Sequence, residues 1–295
     1  MGWWPFTKRS KRTPTGQTLV LRAKFDAATT TPDNARHWAN ADGLSADVAA
    51  NPQVRRTLRN RARYEVANNS YARGIVLTLA NDVIGTGPRL QMLTDSTEAN
   101  QTVEREFAAW AKATDLPGKL RTMRMSRAQD GEAFALLFSN DSLDSPVKLD
   151  LRLIEAEQVA SPTAVSTVGS PNIVDGIAFD ACGNPSQYYV LKAHPGSGAA
   201  GALDYDTIPA ASMIHLFRAD RPGQRRGLPD ILPALPLFAQ LRRYTLAVIG
   251  AAESAANIAI FMKTTSPAGG EAAEVEPMAT MELEPNMAVF GPEGW

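Results

Sequence analysis

Asp130-Gly131-Glu132 sets two carboxylates one residue apart, and His215 is one of only three histidines, with His37 and His194. Paired carboxylates and an imidazole are the parts of a divalent-metal site or a proton-transfer step. A metal-dependent nuclease or hydrolase using Asp130, Glu132 and His215 is therefore one reading. The competing one is a turn before the apolar run Ala133-Phe134-Ala135-Leu136-Leu137-Phe138, with His215 as a hydrogen-bonded core residue inside Met213-Ile214-His215-Leu216-Phe217. It has the stronger case, because no second acidic cluster stands near these residues in sequence.

Other chemistry lacks parts. Gly196-Ser197-Gly198-Ala199-Ala200-Gly201 has the letters of a dinucleotide-binding turn. That turn needs a strand running straight into the glycines and a helix leaving them. Here His194-Pro195 comes before the glycines, and Asp204, Asp206 and Pro209 interrupt the stretch after them, so the segment reads as a loop, and His194 as a turn residue. Gly118-Lys119 is succeeded by Leu120, so it is no phosphate-binding loop. The one cysteine, Cys182, excludes a cysteine-cluster zinc site and an internal disulfide. The reading requires no cofactor and no metal.

Arginine is the residue with the most to offer. Arg55, Arg59 and Arg63 recur every four residues, and Arg221-Pro222-Gly223-Gln224-Arg225-Arg226-Gly227 packs three guanidiniums into one loop. Guanidinium forks suit carboxylates and phosphates. These six arginines are candidates for a subunit-contact surface rather than for a nucleic-acid platform, since no aromatic residues interleave with the stripe. Ala247, Ala251, Ala255 and Ala259 form a small-residue strip that would let a neighbouring helix approach closely.

The elements that must carry these residues are set by periodicity. Pro52 suits a first helical turn, with Val54, Leu58, Ala62 and Val66 as a stripe at i, i+4 spacing. A second helix is expected from Ser70 to about Ile84, with Ile75, Leu79 and Val83 aligned and Gly85-Thr86-Gly87-Pro88 stopping it. Leu90–Leu93 reads as a short strand and Thr97–Ala113 as an amphipathic helix. Strands are expected over Asp150–Ile154, Ile173–Phe179, Tyr188–Lys192 and Met213–Phe217, then a helix from about Leu237 to Met262. The class is α+β, a mixed α/β region followed by a long helix.

Composition agrees with a folded core: 295 residues, 44% hydrophobic and 21% charged. The near-neutral total, 30 basic against 31 acidic residues, hides an asymmetry. Through Arg73 there are 13 basic and 5 acidic side chains; beyond it, 17 and 26. A basic head on an acidic body reads as a solvated arm or as contact with a polyanion or an acidic neighbour. A basic-arm DNA-binding module is thus a third function class. The most apolar stretch, Tyr244–Ala252, is far short of the roughly 20 residues that span a bilayer, so no membrane partner is expected.

Taken in order, a series of phrases resembles the lambda-type family of tailed-phage portal proteins. It runs from Arg56-Thr57-Leu58-Arg59-Asn60-Arg61-Ala62-Arg63 through Asn68-Asn69-Ser70-Tyr71 to Val83-Ile84-Gly85-Thr86-Gly87. Asp130-Gly131-Glu132, Leu153-Ile154-Glu155, Gly176-Ile177, Gly183-Asn184-Pro185 and His194-Pro195-Gly196 continue it. Ile214-His215-Leu216-Phe217, the Arg221–Gly227 loop and the alanine-rich helix complete it. The resemblance implies a subunit of a dodecameric ring at the unique capsid vertex, part of the virion and assembled in the host cytoplasm. Double-stranded DNA would pass through its channel during packaging and ejection. A separate terminase large subunit would dock on it, as would capsid and head–tail connector proteins. It implies no enzymatic activity. Residues 1–51 would be a basic arm, 52–226 the wing, 227–262 the stem helix region and 263–295 the acidic start of a clip. Full-length members continue past this point, so the chain is read as truncated at its C-terminal end. A channel that gripped phosphate tightly would stall sliding DNA, so a weakly attractive one is expected.

Overall fold

Asn51 accepts from the Val54 amide and Pro52 takes the first turn of the helix Pro52–Asn68. Both are choices that satisfy a helix N-terminus. The computed structural model describes residues 26–162, 172–198, 204–263 and 287–291. The chain forms two units, Met1–Leu44 and Ser45–Trp295. In the first, Thr31 and Asn34 cap each other reciprocally, and Asn34 also holds the Thr29 carbonyl.

The second unit opens with α1 (Ala46–Ala49), capped by Ser45. Then come α2 (Pro52–Asn68), α3 (Ser70–Ile84), α4 (Thr97–Ala113) and α5 (Leu116–Asp130). β1 (Glu132–Ser139) is the centre of a three-stranded antiparallel sheet, between β2 (Leu149–Ile154) and a later strand, Met213–Phe217. A second antiparallel sheet is built from β3 (Ile173–Val174), β4 (Ile177–Phe179), β5 (Pro185–Leu191) and β6 (Tyr205–Pro209), in that order. The strand Met213–Phe217 is β7, and α6 runs from Leu235 to Asn257. β8 (Ile258–Lys263) and β9 (Met287–Gly291) pair in parallel.

β1 explains its own unbroken apolar run. Its alternate residues face two separate cores, so neither face can be polar. Phe134 and Leu136 join Ile154, Val159, Ile177, Tyr188, Val190 and Met213 on the side of the second sheet. Ala133 and Ala135 join Ala111, Leu116, Met123 and Leu151 under α4 and α5. A third cluster holds the helices together through Ala62, Val66, Ala72, Val76, Ala128, Ile231, Leu235 and Phe238. The α+β class stands.

Several expectations need correction. The inward face of α2 is Arg55, Arg59, Ala62 and Val66, while Val54 is exposed. On α3 the small residues Ala72, Val76 and Ala80 are buried, and Ile75 and Val83 lie outside. Alanines at these contacts let α2, α3 and α5 approach closely, which rotates the bulkier residues outward. Leu90–Leu93 is not a strand; the Met92 amide bonds to the Glu104 carboxylate on α4 instead of to a neighbouring strand. The last helix ends at Asn257, and Ile258 begins β8, where β-branched residues suit a pleated ladder. Ala259 therefore lies in a strand. Among the described residues no helix is long and apolar enough to cross a membrane.

Candidate functional site

Two glycines create the centre of the molecule. Gly131 ends α5 with φ 92° and turns the chain directly into β1. A Cβ on Gly227 would lie 2.0 Å from the Gly131 carbonyl oxygen, and one on Gly131 would lie 2.5 Å from the Leu228 backbone. Only bare backbone fits this crossing. It lays Arg226 beside Glu132, two residues far apart in sequence and both sealed from water.

Five donors converge on the Glu132 carboxylate. Arg226 grips it in a fork, Nη2 to Oε1 at 2.7 Å and Nε to Oε2 at 2.8 Å. Arg59 Nη1 donates to Oε1 at 3.3 Å. The Gly227 amide and His215 Nε2 reach Oε2, each at 3.1 Å. Burial alone would raise the Glu132 pKa, but Arg226 and His215 override it and hold the carboxyl well below its usual range. The remaining guanidinium hydrogens of Arg226 go to the Val159 and Ala156 carbonyls and to Asp175. No donor of this 1%-exposed side chain is wasted.

Around this pair lies a second ring of charge. Arg59 also pairs with Glu157 at 3.1 Å. Arg55 donates to the Ala50 carbonyl at 2.6 Å and pairs with Asp175. Burial, then the neighbouring Arg226 charge, pulls Arg55 down to about 9. Arg63 is half-buried and joins Asp130 at 2.6 Å to Glu155 and Glu157 at 3.3 and 3.1 Å. Burial raises the Asp130 pKa in spite of that partner. Asp175 and Gly176, at φ 44° and 83°, are the two central residues of the β3–β4 hairpin, where Val174 pairs with Ile177. That is the left-handed turn an Asp-Gly pair favours.

The six arginines singled out by sequence thus divide. Arg55, Arg59 and Arg226 are buried within the chain's own fold, which removes them from any outward contact face. Arg63 and Arg225 keep partial exposure, and Arg221 is exposed. Arg225 lies 4.5 Å above the Phe179 ring, and its amide bonds to Asp47. Gln224 closes the loop: Oε1 accepts from the Asp220 and Arg221 amides, and Nε2 donates to the Arg218 and Arg226 carbonyls. Asp230 clamps its far end through Arg218 at 2.7 Å and Arg124 at 3.0 Å.

Asp130, Glu132 and His215 do not form a cation site. Glu132 already faces Arg59, Arg226 and His215, and Asp130 faces Arg63; a divalent ion would have to displace guanidiniums. The turn reading of Asp130-Gly131-Glu132 and the core reading of His215 both hold. Glu155, Glu157 and His194 bring three ligand-type atoms within 4.8 Å of one another. Yet His194 Nδ1 accepts the Gly196 amide hydrogen. His194 Nε2 faces the same carboxylates at 3.5 and 3.9 Å without a hydrogen bond of its own, and Arg63 already occupies their oxygens, so a metal ion would have to displace a guanidinium. Gly196, Ser197 and Gly198 lie in a turn after β5; Ala199, Ala200 and Gly201 fall outside the described residues.

Sequence reasoning missed Glu157 and Asp175, the acceptors that draw the arginines inward. Val174-Asp175-Gly176-Ile177 carried a usable signal, Asp-Gly between β-branched residues. Glu157 carried none.

α6 is the other feature with functional content. Leu235 and Phe238 anchor its first turns. Arg242 pairs with Glu65 at 2.6 Å and sits 5.0 Å over the Tyr64 ring. Beyond that point Tyr244, Leu246, Val248 and Ile249 are exposed, as are Ala247, Ala251 and Ala255.

A family model described as phage portal protein, lambda family, matches residues 32–294. A probable portal protein of Halomonas phage phiHAP-1 is 24% identical over 223 residues, which cover 70% of this chain and 42% of that protein. The chain spans less than half the length of that relative.

Proposed function

The chain belongs to the lambda family of phage portal proteins, and on that premise we propose that it works as one subunit of a homo-oligomeric, dodecameric ring at the unique capsid vertex. The ring forms the channel through which double-stranded DNA is packaged and ejected. It docks the terminase large subunit on one side and capsid and head–tail connector proteins around it. The protein acts by shape and repetition and makes or breaks no bond itself. Its place is the virion, with assembly in the host cytoplasm.

Within that role residues 1–51 are the basic arm, 52–226 the wing, 227–262 the stem region and 263–295 the start of the clip. The observation that carries the reading is α6, whose outer two-thirds presents leucine, valine, isoleucine and alanine that the described residues leave uncovered. An apolar surface of that kind is a contact surface. Ala247, Ala251 and Ala255 are its close-packing positions, and Arg63, Arg221 and Arg225 supply polar contacts to neighbours.

Negative-stain imaging and native mass spectrometry of the protein carrying this chain test the proposal. Rings with a central hole and a mass near twelve subunits are expected. A protein that stays monomeric at every concentration and salt, or that cleaves DNA with magnesium or manganese, ends it.

A further inference from the structure

A cleft of about 480 Å³ lies between α2 and the root of α6. Leu58, Tyr64, Leu232, Leu235 and Ala239 give it apolar walls. Two charged residues also line it, Arg61 and Glu65. Glu65 is already neutralised by Arg242 at 2.6 Å. Arg61 is exposed and has no ion pair among the described residues. The cleft is therefore an apolar trough with one uncompensated positive charge.

α6 carries the complement. Leu246, Ile249 and Glu253 follow at i, i+3 and i+7, so they share one side of the helix, away from Ala247, Ala251 and Ala255. Leu246 and Ile249 are exposed. So is Glu253, the one acidic residue of α6, and it too has no ion pair among the described residues. Two apolar side chains and a carboxylate match a trough with apolar walls and a guanidinium. One chain cannot bring the two together by itself: Ala239 on the cleft wall and Glu253 belong to the same continuous helix, about 21 Å apart at 1.5 Å per residue.

Building on the ring proposed above, we propose that this cleft receives the outer half of α6 from a second copy of the chain, with Leu246 and Ile249 in the trough and Glu253 paired with Arg61. The contact is head-to-tail, the outer part of one helix on the root of the next, and contacts of that kind close into rings. Rotation about a ring axis preserves height, so this seating also requires α6 to be inclined to that axis and not parallel to it.

The test is charge reversal in the protein carrying this chain, read by native mass spectrometry, with thermal melts as the control for folding. Arg61→Glu and Glu253→Arg, both at exposed positions, should each weaken association about tenfold at every interface and leave the melting temperature within a few degrees. Mixing the two single variants should restore assembly, because alternating copies then set glutamate against arginine at every cleft. Ala239→Trp, at an exposed position on the cleft wall, should fill the trough and stop assembly with no change of charge. The proposal is overturned if wild type assembles and the reversals or the tryptophan leave assembly unchanged. It is equally overturned if the mixture stays unassembled while the Arg61→Glu, Glu253→Arg double variant recovers, since the pair would then lie within one chain. Wild type that never assembles ends the ring reading itself, and this contact with it.

Discussion

Replacing Glu132 by glutamine keeps the shape of the side chain and removes one charge from a sealed site. The two oxygens of Glu132 carry unequal loads. Oε2 accepts from Arg226 Nε, the Gly227 amide and His215, while Oε1 accepts from Arg226 Nη2 and Arg59. The glutamine oxygen will take the more heavily used position. Its NH2 then points at two guanidinium nitrogens that are themselves donors, and both of those bonds are lost. At about 1.5–3 kcal/mol for each bond to a charged group, the cost is about 3–6 kcal/mol. That agrees with about 3–5 kcal/mol for stranding one partner of a buried ion pair. Urea or guanidinium unfolding of wild type and Glu132→Gln, compared at their midpoints with the slopes checked for equality, measures it. The Arg226→Met, Glu132→Gln double variant should be more stable than the sum of its parts. A loss under about 1 kcal/mol, or strict additivity, would refute the claim that this pair is a linked unit.

The same geometry fixes three further outcomes. Gly227→Ala puts a methyl group 2.0 Å from the Gly131 carbonyl oxygen, and should cost more than about 3 kcal/mol or abolish soluble expression, whereas Gly183→Ala, with open space around it, pays only for its positive φ; thermal melts of the two decide. In acid, His215 has a folded pKa below its ordinary 6.5, so the unfolded chain takes up the proton first and stability falls as pH drops below about 6.5; Glu132, held below 4.5, adds its own loss further down, and Asp130, raised above 3.8, opposes in part. Unfolding free energy measured from about pH 7.5 to 4 should decline throughout, and a flat profile contradicts the assignment. Leu246→Glu with Ile249→Glu, both on exposed positions of α6, should leave the melting temperature within a few degrees while abolishing assembly in native mass spectra; unchanged assembly removes α6 from the interface.

What was legible in the sequence was whatever is decided locally. Pro52 announces a helix start because first-turn chemistry is a matter of a few neighbouring residues. β1 and β7 show as apolar runs, and Asp130-Gly131-Glu132 shows as a turn before the first of them, although the helix α5 that ends there was not foreseen. The inward face of α2 was not legible. Arg55 and Arg59 face the core because Asp175, Glu157 and Glu132 arrive from elements roughly a hundred residues away, and no period within α2 encodes that. The face of α3 was misread for a related reason: the largest residues usually mark the core, but here close approach of helices favours the alanines. The Asp130–Glu132 phrase looked like chemistry until the arginines that neutralise it were placed. The end of α6 turned on a competition between helix and pleated backbone at Ile258 that tertiary pairing with β9 decides.

The fastening of α6 has a mechanical consequence. Its root is held by Leu235, Phe238 and Arg242, and the preceding loop is pinned at Gln224, Arg226 and Asp230. From Tyr244 to Asn257 the helix extends about 20 Å at 1.5 Å per residue. Over that length each degree of tilt at the base displaces the far end by about 0.3 Å. Side-chain interdigitation tolerates errors well under one ångström, so in the proposed ring the base can yield only a degree or two before the tip loses its fit to a neighbour. A cantilever of that reach calls for a stiff footing, and directional bonds between sealed charges resist angular drift better than slippery hydrocarbon contacts do.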